Sequence, residues 1–568
     1  MTASESPMTA AIFPLSAHWM GGEGRGEVGS LLKLLGFAFG CFAYFAVQVR
    51  SAAEPFAVLK PAAFAHHIER FNTVEPETIV TYIPDSESWA WLQNNIPLFE
   101  CPDFAVEEMY YFRWWSLRKH LVRTPGGFVI TEFLPPVSHA GPFNTISCAA
   151  GFHLAEGRWL RNDRYLNDYT QFWLRGDHDK PQAHFHKFSN WFAAAAWNRY
   201  LVNDDKQFLV KLLPALVTDY RLWETERQLP NGLFWQYDVR DGMEESISGS
   251  RTAKNIRPTI NSYMFANAQG IANIARLAGK PKLVTEFSSK AKDLKYLTQQ
   301  QLWDTNANFF KVLVATTNQS VTSVAYVPST AREAIGFIPW MFSLPDTNPS
   351  YAAAFTQLTD PQGFSAPFGI TTSERRHPQF RNRGVGTCEW DGAVWPFATS
   401  QTLYALANYL RHPTADSLAP IGGEGQGEGA TSLTTPDFFS AFLTYTRSQH
   451  ANGKPFIGEY LDEVTGDWIN RTNRSAYYNH STYADLLITE VVGLRPRPDD
   501  LVEINPLLPD NTWDWFCLDG VKYHGHMLTV VWDKDGSRYG RGVGLRVLAD
   551  GKQIGQSENL AQLKCHWP

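Results

Sequence analysis

Cysteine is scarce in this chain. Six residues in 568, Cys41, Cys101, Cys148, Cys388, Cys517 and Cys565, fit neither a zinc-ligand spacing nor a dense disulfide scaffold. With Cys41 set aside in a targeting-like segment, at most two disulfides could form. Cys517 with Cys565 is one candidate pair, and buried free thiols are expected for most of the others. A long basic block is missing too. The 50 Lys and Arg are outnumbered by 57 Asp and Glu, for a formal net charge of −7. That balance offers no track for a phosphate backbone, so nucleic acid is not an expected partner. The chain also lacks His-Glu-x-x-His, a phosphate loop and a dinucleotide fingerprint. Asp533-Lys534-Asp535-Gly536 is too short for a calcium loop. No metal or other cofactor is therefore expected.

No apolar run is long enough for a comfortable membrane span. Residues 34–48 are apolar, follow Lys33 and precede Ser51-Ala52-Ala53. This resembles the core and cleavage region of a secretory signal, and a secreted or periplasmic location is expected. A fixed 34–45-residue solenoid motif is absent as well. The one internal repeat is small, Gly21 to Glu27 against Gly422 to Glu428. Such Gly/Glu tracts bury no apolar area and read as loops or surface insertions.

Aromatic residues are abundant, at 14% of the chain with 20 Trp, beside 44% hydrophobic and 19% charged residues. That is a globular composition with a large core, and most of the rings belong in it. Residues 54–100 mix β-like runs, such as Thr78 to Ile83, with loops. Helical periodicity then predicts helices over 104–120, 157–174, 183–203, 205–227, 260–278, 281–302, 330–343, 349–358, 391–411, 435–449 and 478–492. Short Gly/Pro/Asn connections, such as Gln228 to Gly232, make neighbouring helices antiparallel hairpins. Stacked hairpins closing on themselves give a mainly α fold, an (α/α)6 barrel. After residue 495 the pattern changes to strands, with Leu501 to Ile504, Met527 to Trp532 and Leu545 to Leu548, and predicts a small antiparallel β domain. The expected organisation is an N-terminal extension with signal (1–53), a lead-in (54–100), a barrel (101–495) and the β domain (496–568).

Three segments carry chemistry. The first is Asp241-Gly242-Met243-Glu244-Glu245-Ser246, downstream of Trp235. The second is Trp390-Asp391-Gly392-Ala393-Val394-Trp395-Pro396. The third is Phe456-Ile457-Gly458-Glu459-Tyr460 with Thr465-Gly466. Cleaving a glycosidic bond needs one protonated and one ionised carboxyl on opposite sides of a sugar. Carboxylates far apart in sequence, each beside aromatic residues, suit that task.

In this order the segments resemble motifs of the clan G (α/α)6 glycosidases, which include glycoside hydrolase family 63, the mannosylglycerate hydrolases and, more distantly, trehalases. The first is similar to their Glu-Ser-Gly-Met-Asp-Asn-Ser-Pro, the second to Trp-Arg-Gly-Pro-Val-Trp, and the third to Phe-x-Glu-x-Tyr-(x)-Pro-x-Thr-Gly. The resemblance spans about residues 100–495. It implies that Glu244 is the general acid and Glu459 the general base of an inverting hydrolase, with a glycoside or oligosaccharide substrate of α-linked gluco or manno configuration. Two positions depart from the pattern. Glu244 stands where the family has Asp, which moves the carboxyl by roughly 1–1.5 Å, a shift that matters for catalysis. Asp391 stands where the family has Arg. Glu245 is a second claimant to the acid role, and Asp241 reads as a loop-orienting residue that could also contact substrate.

Further candidate sugar contacts are Trp235, Trp390, Arg113 and Trp114 on the first long helix, His153, Glu156 and Arg158 at a loop-to-helix junction, and Tyr478 and His480 after Glu459. Two other readings stand beside hydrolysis. One is a polysaccharide lyase using Tyr478 and His480. The other is a non-catalytic carbohydrate-binding protein.

Overall fold

The computed structural model describes residues 56–568, apart from 318–323, 383–387, 412–432 and 470–473. The signal-like segment, Cys41 and both Gly/Glu tracts lie outside the described residues.

The helices are α1 (Ala65–Val74), α2 (Ser88–Asn95), α3 (Phe104–Lys119), α4 (Ser147–Gly157), α5 (Arg164–Arg175), α6 (Phe192–Asn203), α7 (Lys206–Arg227), α8 (Pro258–Leu277), α9 (Pro281–Leu302), α10 (Pro396–Arg411) and α11 (Thr435–Ser448). Start signals are explicit. Pro opens α8 and α9 at the first turn, where its missing N–H costs nothing. Asp103 caps α3 by accepting from the Ala105 and Val106 amides. Packing runs from α3 to α11, to α10, through the turn Ile338–Met341 to α8, then to α6 and α4. The short helix Ala484–Leu486 touches both α3 and α4. Trp114, Trp115, Trp159, Trp173 and Trp223 are fully buried between these layers. Among the described residues, no helix is long and apolar enough to cross a membrane.

Several expected boundaries move. The helix expected over 157–174 starts only at Arg164, as α5, and α4, which ends at Gly157, is not among the expected helices. Because α4 is buried nearly all round, it lacks the one-sided stripe that marks a surface helix. The segment expected to be helical from 391 is a turn over 390–392 followed by non-helical chain as far as Trp395, and α10 begins at Pro396. Proline disfavours a helical conformation in the residue before it. In 478–492 only Ala484–Leu486 is α-helix, continued by a π turn over Leu487–Val491. The helix predicted over 183–203 starts at Phe192, and 330–343 and 349–358 are short turns. Thr78 to Ile83, expected to be β-like, is a bend between α1 and α2 with no partner strand.

Strand β1 (Leu98–Glu100) lies between α2 and α3, and the hairpin β2 (Leu121–Thr124) and β3 (Gly127–Ile130) follows α3. The C-terminal strands are β4 (Leu501–Ile504), β5 (Trp515–Tyr523), β6 (His526–Asp533), β7 (Gly544–Ala549), β8 (Lys552–Ser557) and β9 (Leu563–His566). An antiparallel sheet runs β1-β5-β6-β7-β8, and Leu494–Arg495, β4 and β9 form a smaller one. The lead-in strand β1 thus pairs with the C-terminal sheet, Leu98 opposite Asp519 and Glu100 opposite Cys517. Asp519 fastens this junction, accepting from the Val58 and Leu59 amides at 2.6 and 2.7 Å and from the Thr529 hydroxyl at 2.6 Å. The suggested Cys517–Cys565 disulfide is not formed. The two residues belong to different sheets, and all five described cysteines are free thiols.

Candidate active site

The loop after α7 is built around a buried ion pair. Asp241 is completely enclosed and accepts from the Arg257 Nε and the Ser189 hydroxyl, both at 2.5 Å. Gly242 then turns the chain at φ 70°, a conformation that favours glycine, and a Cβ there would stand tightly, 3.3 Å from the Cys148 Sγ. Glu245 is also left-handed, at φ 69°. Its amide donates to Asp238, and its Oε2 accepts the Cys388 amide at 3.1 Å. Non-glycine residues in this region carry strain that clusters at functional sites. The two adjacent glutamates therefore have different partners, and Glu244 feels the charge of Glu459.

The second and third motifs are stitched together. Val394 and Leu461 exchange backbone hydrogen bonds at 3.0 Å in each direction. Trp395 stacks between Trp390 and Tyr460, with ring centroids 4.4 and 4.7 Å away. Beside this stack Glu459 is 5% exposed, accepting from Arg474 at 2.6 Å and Ser475 at 2.8 Å.

Burial pushes the Glu244 carboxyl up to about 7, against its own backbone N–H, and the charges of Glu459 and Asp238 act in the same direction. Burial also raises Glu459, but Arg474 and Ser475 hold its ionised form. One carboxyl is thus biased toward the acid and the other has a cation in contact.

The remaining predicted residues divide between the site and its walls. Trp390 and His480 are buried in the aromatic cluster, the His480 ring 4.1 Å from that of Tyr478 and 5.9 Å from that of Trp395. Asp391 is buried, and its carbonyl accepts the Arg381 amide. The polar groups of the others have protein partners or lie in the core. Asp241 is spent on Arg257. Arg113 donates to Tyr445, Gln449 and Ser481. Trp114 is wholly in the core. Glu156, on α4 rather than at a junction, accepts the Tyr483, Ala484 and Asp485 amides and so caps the short helix there. Arg158 pairs with Asp485 at 2.7 Å. His153 bridges Tyr169 and the Asn479 carbonyl, and burial lowers it to about 4. Trp235 lies under Arg227 and Lys254, 4.5 and 4.8 Å above its ring.

Sequence reasoning missed Glu132, which follows β3. Its amide donates to the Asn144 carbonyl, its carbonyl accepts the Asn479 amide, and its Oε1 accepts the Tyr478 hydroxyl at 2.9 Å. It feels the charges of both Glu459 and Glu244. The local sequence Thr131-Glu132-Phe133-Leu134-Pro135-Pro136 matches none of the three motifs, and only the long-range pairing with 478–479 reveals it.

Residues 142–481, which include Glu244, the Trp390–Trp395 segment and Glu459, match the mannosylglycerate hydrolase MGH1-like glycoside hydrolase domain. The chain belongs to this family. Residues 494–555 match the C-terminal domain of glycosyl hydrolase family 65, over β4 to β8. A solved structure described as a sialidase is 48% identical with a TM-score of 0.83, covering 89% of this chain and 45% of its own. The chain thus spans less than half of that protein. A family 78 rhamnosidase of Bacillus sp. GL1 shares the fold at 12% identity and a TM-score of 0.51, covering 81% of this chain and 42% of its own. A family 63 mannosylglycerate hydrolase from Thermus thermophilus, in complex with glucose, is 13% identical at a TM-score of 0.47, over 67% and 99% of the two chains.

Proposed function

We propose that this chain is an inverting glycoside hydrolase on an (α/α)6 barrel, acting on an α-linked sugar of gluco or manno configuration. The observation that carries the reading is the asymmetry of Glu244 and Glu459. They come from distant segments, and the charge of Glu459 reaches Glu244. Only Glu459 has a cation in contact among the described residues. Glu244, protonated, gives its proton to the leaving oxygen. Glu459, ionised beside Arg474, takes a proton from the attacking water on the opposite side of the ring. Ser475 fixes the same oxygen that Arg474 holds, so the other oxygen of Glu459 is the one offered to water. The hydroxyl of Tyr478 is donated to Glu132, and burial drives its phenol well above the ordinary value. That argues against the lyase reading, which needs a tyrosine base.

The test is a panel of aryl α- and β-glycosides and natural disaccharides, with wild type beside Glu244→Gln and Glu459→Gln. The anomer released is followed by NMR. Hydrolysis with inversion, lost in both variants, is expected. A product of retained configuration, or no turnover by folded wild type, would sink the reading.

A further inference from the structure

The site holds a third carboxyl that neither catalytic role uses. Glu132 is 3% exposed, and its backbone is clamped on both sides, to Asn144 and to Asn479. Asn479 adds a side-chain bond to the Thr131 carbonyl at 3.1 Å. The Oε1 of Glu132 accepts from Tyr478, while its Oε2 is buried and makes no hydrogen bond of ordinary geometry. The indole nitrogens of Trp390 and Trp395 are likewise buried without a hydrogen bond of ordinary geometry. These residues are contiguous, running from Glu132 through Tyr478 and His480 to the Trp395–Trp390 stack. Buried polar atoms are nearly always paired. Buried polar atoms left without a well-formed bond beside Glu459 suit the hydroxyl groups of a ligand.

We propose that Glu132 is held as the neutral acid and donates a hydrogen bond from Oε2 to a hydroxyl of the sugar bound between Glu244 and Glu459. The proposal rests on the glycosidase reading for its ligand, but not for the state of Glu132. Every group facing this carboxyl bears on that state. Tyr478 and the Ile146 amide favour the ionised form, but burial outweighs them, and Glu459, Glu244 and the neighbouring Cys148 and Tyr169 add only neutral or negative groups. Arg474 is committed to Glu459, and His153 and His480 are kept neutral by burial. With no cation in contact among the described residues, an ionised Glu132 would be an uncompensated buried charge, which is expensive. Burial accordingly moves it up to about 8. A neutral acid can donate to a sugar hydroxyl, whereas a carboxylate can only accept. Glu132 also precedes the family match, which begins at residue 142.

Glu132→Gln keeps a donor and an acceptor of the same shape, and Glu132→Leu keeps neither. On the best glycoside of the panel, Glu132→Leu is expected to lose on the order of 10- to 100-fold in kcat/KM. Glu132→Gln is expected to lose less than about ten-fold, with a shallower fall of activity at alkaline pH. If Glu132→Gln is as damaging as Glu244→Gln, Glu132 transfers a proton and the proposal is overturned. If Glu132→Leu is harmless, it is overturned too. A second readout needs no substrate. Infrared difference spectra of wild type minus Glu132→Gln at pH 6.5 should show the carbonyl stretch of a protonated carboxylic acid, and the same band should persist in Glu244→Gln. Absence of that band overturns the proposal whether or not the protein cleaves glycosides. Wild type that cleaves nothing yet shows the band refutes the glycosidase reading and leaves the neutral acid standing.

Discussion

Glu245 accepts the Cys388 amide through its side chain at 3.1 Å, while Glu244, its immediate neighbour, faces the charge of Glu459. The left-handed backbone at Glu245 is what parts them. Glu244→Gln and Glu459→Gln are each expected to reduce kcat by about 10²–10⁴-fold, the usual contribution of a general acid or base. Glu245→Gln should cost less than about ten-fold, because an amide can still accept from Cys388. Steady-state kinetics on one glycoside decides between them, and a reversed order would move the acid to Glu245.

The pH profile of kcat/KM should be bell-shaped. Glu244 must be protonated, so activity falls as pH rises through about 7. Glu459 must be ionised, so activity also falls on the acid side, from a point set above the ordinary carboxylate range by burial. Arg474→Met removes the cation that opposes this rise. The acid limb should then move to higher pH and narrow the bell, while the alkaline limb stays in place.

Glu244 should also make the fold less stable at alkaline pH. Its folded value lies above the unfolded one, so the folded state binds the proton more tightly. The resulting stability is fully present below about 4.5 and is lost as pH rises through about 7. Replacement by Gln removes the loss, which is on the order of 3 kcal/mol at most. Thermal denaturation at pH 8 should show Glu244→Gln melting above wild type, and the gap should close toward pH 4.5. Equal melting temperatures at pH 8 would contradict the burial of this carboxyl.

The Asp241–Arg257 pair is enclosed completely. Asp241→Ala strands a buried guanidinium and should cost about 3–5 kcal/mol, read as a lower urea midpoint. Because the pair sets the loop that carries Glu244, activity should fall with it.

The buried thiols Cys101, Cys148, Cys517 and Cys565 have their ionisation pushed upward by burial. A thiol reagent should leave them unmodified in native protein and label them only on unfolding. Mass analysis without reductant should find no link between Cys517 and Cys565.

The helical layers are legible in the sequence because their surface helices are one-sided. Helix α9 is predicted and found over the same residues, and α7, α8 and α11 differ only at their ends. Helix α4 escapes such a reading, and the Tyr478–Tyr483 segment is misread as helix, because burial on every side removes the periodicity on which it depends. Linear order is enough to nominate Glu244 and Glu459. It cannot separate Glu244 from Glu245, since that distinction lies in one backbone angle and one hydrogen bond to Cys388. Glu132 leaves no local signature, because its place depends on contacts with Tyr478 and Asn479, the first of them 346 positions away.

Asp519 binds the Val58 amide across 461 residues. During synthesis on a ribosome, the lead-in emerges long before its partner strand exists. The edge carried by β1 must wait, uncovered, until β5 arrives, a delay of the kind that exposes nascent chains to aggregation and chaperones. Deleting either end would therefore not trim an appendage. It would leave the opposite end of the chain with an open seam, so a chain shortened by residues 496–568 alone, which keeps β1 without β5, should be less soluble than the whole.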